Sequence, residues 1–178
     1  MSTILITTFI IVPILLSGFV LNQQIILAQT NEINFVTYSN PTFGIRTQYP
    51  SDWGRLDLSF LLNDSADIDF YPLDDTSGAK GVKIQVETLL SSQNITLDEY
   101  TDGKIDSIEG QILESNSTTL ADLPAHEIVL NDLGLKTMEV WTIDDDKVYT
   151  VTYVAEEEDY QNDLQVAQRM IDTFEIIE

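Results

Sequence analysis

The sequence predicts an α+β domain, a central antiparallel β-sheet with helices packed on its faces. Three observations carry that expectation. Period-two stretches follow one another in runs, residues of hairpin composition separate the later ones, and two amphipathic stretches of helical spacing lie far apart in the chain. Strand and helix do not alternate regularly and there is no Gly-rich phosphate loop, so a doubly wound dinucleotide fold is not expected.

Ahead of this domain, residues 1–28 stand apart. They contain no Asp, Glu, Lys, Arg or His, and 4–21 is almost wholly apolar, a composition that belongs in lipid or in a translocon. This segment is read as a signal peptide or an N-terminal membrane anchor, the second being the chain's expected route to a membrane. Ala28 before Gln29 offers a small residue at a cleavage point, and the lack of cysteine removes a lipoprotein anchor. Residues 29–34 are read as a short polar linker and 35–178 as the domain. The expected location is extracytoplasmic, secreted or anchored at the outer face of the cell membrane.

Within the domain each element has its own signal. Phe43, Ile45, Thr47 and Tyr49 alternate with Arg46 and Gln48 until Pro50 stops them, as in a half-buried strand. Ile68, Phe70 and Tyr71-Pro72 mark a second strand, and Val82, Ile84 and Val86 alternate with Lys83, Gln85 and Glu87 in a third. The segment 74–81 between these two is a turn by composition. Thr96 followed three residues later by Glu99 has the form of a capping box, so a helix starts there, with Leu97, Tyr100, Ile105, Ile108 and Ile112 as its apolar stripe. Three strands follow, over 125–130, 135–143 and 148–154, with 131–134 and 144–147 as hairpin turns. A last helix is expected from near Ala155, its acidic start at 156–159 suited to the helix dipole. Tyr160, Leu164, Ala167, Ile171 and Phe174 form its buried stripe, and 174–177 is read as a short closing strand.

Composition narrows the partners and the chemistry. The net charge of −22, with every charged residue at or after Glu32, sets a negative field over the domain that disfavours nucleic acid and anionic lipid headgroups. Zero cysteine removes disulfides, thiol nucleophiles and Cys-ligated metal sites together. His126 is the only histidine, so a His-rich zinc site within one chain is impossible, and a serine triad would have to take it as base. Without a Gly-x-Ser-x-Gly motif, His126 reads as a structural residue near the sheet edge, sharing a face with Ile128 and Leu130.

Carboxylates supply the remaining candidates. Asp144, Asp145 and Asp146 are the preferred oxygen ligands for calcium, with 156–159 and the trio Asp64, Asp67 and Asp69 behind them; none has EF-hand spacing, and solvated turn and helix-start acids are the default reading. Trp53 and Trp141 are of a type that stacks sugars, though Trp141 also fits a core position. Asn63, Asn94 and Asn116 each open an Asn-x-Ser/Thr sequon, all three placed in expected turns or loops, and are glycosylation candidates if the domain meets the machinery.

Several segments, in order, resemble a known family. Tyr38, Asn40-Pro41, Phe43-Gly44-Ile45 and Tyr49-Pro50 through Trp53 look like the opening motif of PsbP-like domains. Residues 124–128 (Pro-Ala-His-Glu-Ile), 139–142 before 146–149, and 170–175 (Met-Ile-Asp-Thr-Phe-Glu) are similar to the family's later segments. The resemblance implies a PsbP/Mog-type α/β/α sandwich, an extracytoplasmic setting and, in most members, no catalytic site. Its founding members are extrinsic photosystem II subunits that help retain calcium and chloride and dock through basic residues. This chain has five lysines, Lys80, Lys83, Lys104, Lys136 and Lys147, on an anionic surface, so the photosynthetic role is not carried over.

The expected function is therefore that of an exported, non-enzymatic domain that binds a protein partner or supports an envelope-associated complex. Weak divalent-cation binding, calcium foremost, and no other cofactor go with it. The alternatives are a carboxylate-based extracellular hydrolase, which requires two acids across a cleft, and a dedicated calcium-binding module.

Overall fold

A computed structural model of the chain describes residues 33–62, 64–89 and 95–177. The leader, Asn63 and Asn94 lie outside them. Ten strands and two α-helices follow in the order β1 (Phe35–Asn40), β2 (Ile45–Pro50), β3 (Trp53–Asp57), β4 (Ser65–Pro72), β5 (Gly81–Thr88), α1 (Leu97–Asp106), β6 (Gln111–Leu120), β7 (Leu123–Asp132), β8 (Leu135–Asp144), β9 (Lys147–Glu156), α2 (Tyr160–Asp172) and β10 (Glu175–Ile176), with a single 3₁₀ turn at Ser59–Leu61.

Seven strands form the central sheet in the order β3-β4-β5-β9-β8-β7-β6, and β1, β2 and β10 form a second, three-stranded one. Every pairing is antiparallel, as expected. Antiparallel order follows from the turns. The β7–β8 hairpin closes through Leu133 (φ 50) and Gly134 (φ 86), the two left-handed positions that a tight hairpin matched to sheet twist demands, the second met by glycine. Asp145 (φ 52) takes the left-handed position between β8 and β9.

Alternation along the strands splits the central sheet into two faces. One carries Ile68, Phe70, Val82, Ile84, Val140, Val151 and Tyr153, all fully buried against α2 and the small sheet. Tyr38 of β1 meets the Phe70 ring edge-on at 5.5 Å, Tyr49 of β2 meets it at 4.8 Å, and Thr47 Oγ1 donates to the Met170 carbonyl of α2 at 2.8 Å. The opposite face carries a much smaller cluster, Ile128, Trp141 and Val148, with Leu97 and Tyr100 of α1 packed on it. Helices thus cover both faces, and the predicted α+β sandwich stands.

Boundaries differ from the sequence reading in places that have physical causes. The capping box is present: Thr96 Oγ1 accepts from the Glu99 amide at 3.2 Å and Glu99 Oε2 from the Thr96 amide at 3.0 Å. The helix, however, stops at Asp106, where Ser107 turns its hydroxyl back onto the Lys104 carbonyl at 2.7 Å. Ile112, expected on the helical stripe, belongs to β6. Ala155 and Glu156, expected to open the last helix, still extend β9, because Ala155 is fully buried on the sheet's α2 side; α2 begins at Tyr160. Its buried residues are Tyr160, Val166, Ala167, Met170 and Ile171, with Leu164 only partly covered. Strands β1, β3 and β6 were not anticipated.

Candidate functional site

Between the β6–β7 edge of the sheet and the end of α2 lies an open cleft of about 620 Å³. Each wall follows from the local chain. Leu120 anchors the end of β6 in the core, and the turn to β7 places Ala121 (φ 51) and Asp122 (φ 62) in the left-handed region. That region costs an ordinary residue about 1–2 kcal/mol. Ala121 packs against the core while Asp122 lines the cleft. Glu127 sits on β7 between Ala125 and Val129, so alternation points it to the α2 side, the same side as those two apolar residues. Asp172 at the last turn of α2 and Glu175 on β10 close the opposite wall, and Val140, Ile171 and Phe174 form an apolar floor.

Four carboxylates and no basic residue line this space. Glu175 is held from outside the lining by Arg46, whose Nε donates to Oε2 at 2.8 Å and whose Nη2 also contacts that oxygen. Asp172 Oδ1 accepts from Gln168 Nε2 at 3.1 Å. Burial pushes the Glu127 carboxyl above the usual range, and the neighbouring charge of Glu114 pushes it the same way. Together these leave a negative trough in which Glu127 is half-buried and Asp122, Asp172 and Glu175 are exposed, suited to a cationic group.

A second cavity, of about 450 Å³, opens over β3, β4 and β5 among Leu56, Tyr71, Pro72 and Val154. The Tyr71 ring lies against Gly54, where a Cβ would come within 2.5 Å of it, so a larger residue there would push this exposed ring aside. The two lysines lining this cavity are committed internally. Lys80 Nζ meets Asp163 at 2.7 Å, and that hydrogen bond is the main cause holding its pKa above the usual lysine value. Burial alone would lower Lys83, but Asp67 and Asp69, at 3.1 and 3.3 Å, raise it instead.

The residues singled out in the sequence fall elsewhere. Among the described residues no group of three or more His, Cys, Asp or Glu side chains is placed to hold a metal ion, so Asp144, Asp145 and Asp146 are not gathered into a calcium site, nor are the other two acidic runs. His126 faces the α1 side with Ile128, as expected; its Nε2 lies 2.8 Å from Ser115 Oγ and its ring 5.3 Å from that of Trp141. This serine–histidine pair lines neither cavity. Trp141 is fully buried and donates from Nε1 to Thr101 Oγ1 at 3.0 Å, which removes it as a sugar platform, and Trp53 packs against the main core. Asn116, expected in a loop, stands exposed in the middle of strand β6.

The cleft acids were missed. Glu127 carried the one readable sign: a carboxylate at a core-facing strand position between Ala125 and Val129. Asp122, Asp172 and Glu175 carried none, since their meeting depends on where α2 and the β6–β7 turn come to rest.

A wholly antiparallel sheet between two helices, with a second small sheet beside the longer helix, is the arrangement of a PsbP-type α+β domain. The chain belongs to the PsbP-like protein family, whose model matches residues 20–176. Among solved structures it is similar to the cyanobacterial PsbP (CyanoP) of Synechocystis, at 10% identity over 83% of this chain and 95% of that one, with a TM-score of 0.58. A Bacteroides thetaiotaomicron protein superposes at a TM-score of 0.55 and 13% identity, over 80% of this chain and 48% of that one. No curated protein sequence matches the chain.

Proposed function

We propose that this PsbP-like domain works outside the cytoplasm as a non-enzymatic binding module, and that its cleft takes up a basic, partly apolar segment of a protein partner in the cell envelope. One observation carries the reading: Asp122, Glu127, Asp172 and Glu175 rim an apolar floor with no basic residue among the lining groups. A lysine or arginine side chain laid there would place its charge among the carboxylates. The uncharged, apolar leader supports export. Dedicated calcium binding has less behind it, since the described residues offer no ligand cluster.

Titration calorimetry of the mature protein with short Lys- and Arg-containing amphipathic peptides tests this. Saturable binding is expected at low ionic strength. It should weaken steeply with added salt, because part of the attraction is between charges that salt screens, and at least tenfold in a chain carrying Glu127→Gln and Asp172→Asn, about 1.4 kcal/mol. Absence of saturable heat at low salt would remove the cleft as a peptide site.

A second reading has Glu127 behind it. A carboxyl raised by burial beside ionised acids is the arrangement that general acid catalysis of glycoside hydrolysis uses. Turnover of model glycosides by the native protein, abolished in Glu127→Gln, would favour it over peptide binding.

A further inference from the structure

The central sheet ends in two strands of different character. At one edge β3 is five residues long and carries Arg55 and Asp57. At the other, β6 runs ten residues, pairs among the described residues with β7 alone, and is exposed over most of its length. A long edge strand offers unpaired backbone donors and acceptors to any other strand, and proteins blunt such edges with lysine, proline, bulges or a covering element. Strand β6 has no lysine and no proline; its single charge is Glu114, beside a bulge between Ile112 and Glu114. Beyond that bulge the strand reads Ser115-Asn116-Ser117-Thr118-Thr119, uncharged and regular in register.

In the middle of that stretch stands a sequon, Asn116-Ser117-Thr118, with Asn116 exposed. The other two sequons differ. Asn63 and Asn94 lie outside the described residues, and the Thr96 hydroxyl that completes the Asn94 sequon is engaged as the cap of α1. Among the described residues, Asn116 is a sequon asparagine that the fold presents on the edge strand.

We propose that Asn116 is N-glycosylated and that the attached sugar shields the β6 edge from pairing with a second copy of the chain. Transfer would come from a lipid-diphosphate-linked oligosaccharide, with no change of oxidation state. The Asn116 amide nitrogen forms a bond to the anomeric carbon, the bond from that carbon to the diphosphate oxygen breaks, the lipid diphosphate leaves with the electron pair, and the amide gives up one proton. The proposal rests on the export read above, because the donor and its transferase act on the far side of the membrane. Asn116 pairs with Glu127 and Thr118 lines the cleft, so the sugar would stand beside the cleft, yet its attachment is read by mass without reference to what the cleft binds.

Peptide mass spectrometry of the protein purified from the cells that make it is the direct test. The peptide containing Asn116 should carry an oligosaccharide increment in most copies, and the increment should disappear in Asn116→Gln and in Thr118→Val, which keeps a β-branched side chain in the strand. A bare Asn116 on protein recovered outside the cytoplasm overturns the assignment and leaves the cleft reading intact; bare protein recovered inside the cytoplasm overturns both. Sedimentation then tests the shielding. Deglycosylated protein should shift toward the mass of a dimer at concentrations where the native form is monomeric. Asn116→Lys, sugarless but charged on the same strand, should remain monomeric. If deglycosylated protein stays monomeric at those concentrations, the shielding role is wrong.

Discussion

The two faces of the central sheet are covered by different physics. On the α2 face, α2 and the small sheet close over a continuous apolar layer in which Phe70, Val82, Ile84, Val140, Val151 and Tyr153 are fully buried. On the α1 face the buried sheet residues among those described include just three apolar ones, Ile128, Trp141 and Val148, with Thr150 beside them, and of α1 itself Thr101 is buried. What fixes α1 is polar: Trp141 Nε1 donates to Thr101 Oγ1 at 3.0 Å, and Lys104 reaches Glu139 at 3.2 Å while its ammonium sits 5.0 Å from the centre of the Trp141 ring. One face is held by burial of area and the other by a few directed contacts, so global stability should reside on the first and local opening should begin on the second.

The largest effect expected from that contrast is at Phe70. Its ring is fully buried and touches Tyr38 and Tyr49 across the join between the two sheets. Phe70→Ala removes that apolar area and leaves a cavity, for a loss of about 3–5 kcal/mol, read as a lower midpoint of urea unfolding. On the other face Trp141→Phe keeps an aromatic ring but leaves Thr101 Oγ1 without its donor. A loss of about 2 kcal/mol is expected from the orphaned hydroxyl and the smaller ring. The informative readout there is amide hydrogen exchange. Protection of α1 should fall more than that of β5 and β9, and a uniform loss across both faces would break the contrast.

The asymmetry also explains what could be read in advance. Val82, Ile84 and Val86 alternate with polar residues because one side of β5 faces the thick core, and that imprint is visible in sequence. Strand β6, Gln-Ile-Leu-Glu-Ser-Asn-Ser-Thr-Thr-Leu, has no buried side over most of its length, so no period of two was written into it and it read as loop. β1 and β3 are short and half-exposed for the same reason. The Thr96–Glu99 cap was legible because capping is a local contract between neighbouring residues. The end of α1 was not, since Ile105, Ile108 and Ile112 keep near-helical spacing through a helix end at Asp106. Of the cleft, Glu127 was legible in principle as an acid at an inward position, whereas Asp122, Asp172 and Glu175 meet only through tertiary structure.

The smallest effect sharpens the comparison, because the α2 face has one polar pin of its own. Tyr38 of β1 donates its hydroxyl to Asp57 Oδ2 of β3 at 2.6 Å, with the Arg55 guanidinium 4.8 Å from the Tyr38 ring centre. Burial would raise Asp57, but the hydrogen bonds from Tyr38 and Ser59 outweigh it and leave its pKa below the usual carboxylate value. A carboxylate with a depressed folded pKa adds stability above its unfolded pKa, and that stability is lost as pH falls through the folded value. Tyr38→Phe should therefore cost about 1 kcal/mol at neutral pH, where the bond is to a charged acceptor at a partly exposed site. The gap between variant and native protein should close as acid protonates Asp57. Burial, then the bond to Asp57, also pushes the Tyr38 hydroxyl from 10.0 up to about 12, so its contribution is complete below pH 10 and is lost as pH rises toward 12. That alkaline limb is not specific, since burial raises Tyr153 and Tyr160 as well and both remain in the variant. The acid limb is the discriminating one. Urea midpoints of the two proteins should draw together as pH falls below the usual carboxylate value and Asp57 takes up its proton. Midpoints that stay parallel while acid protonates Asp57 would mean that Asp57 carries no linked stability.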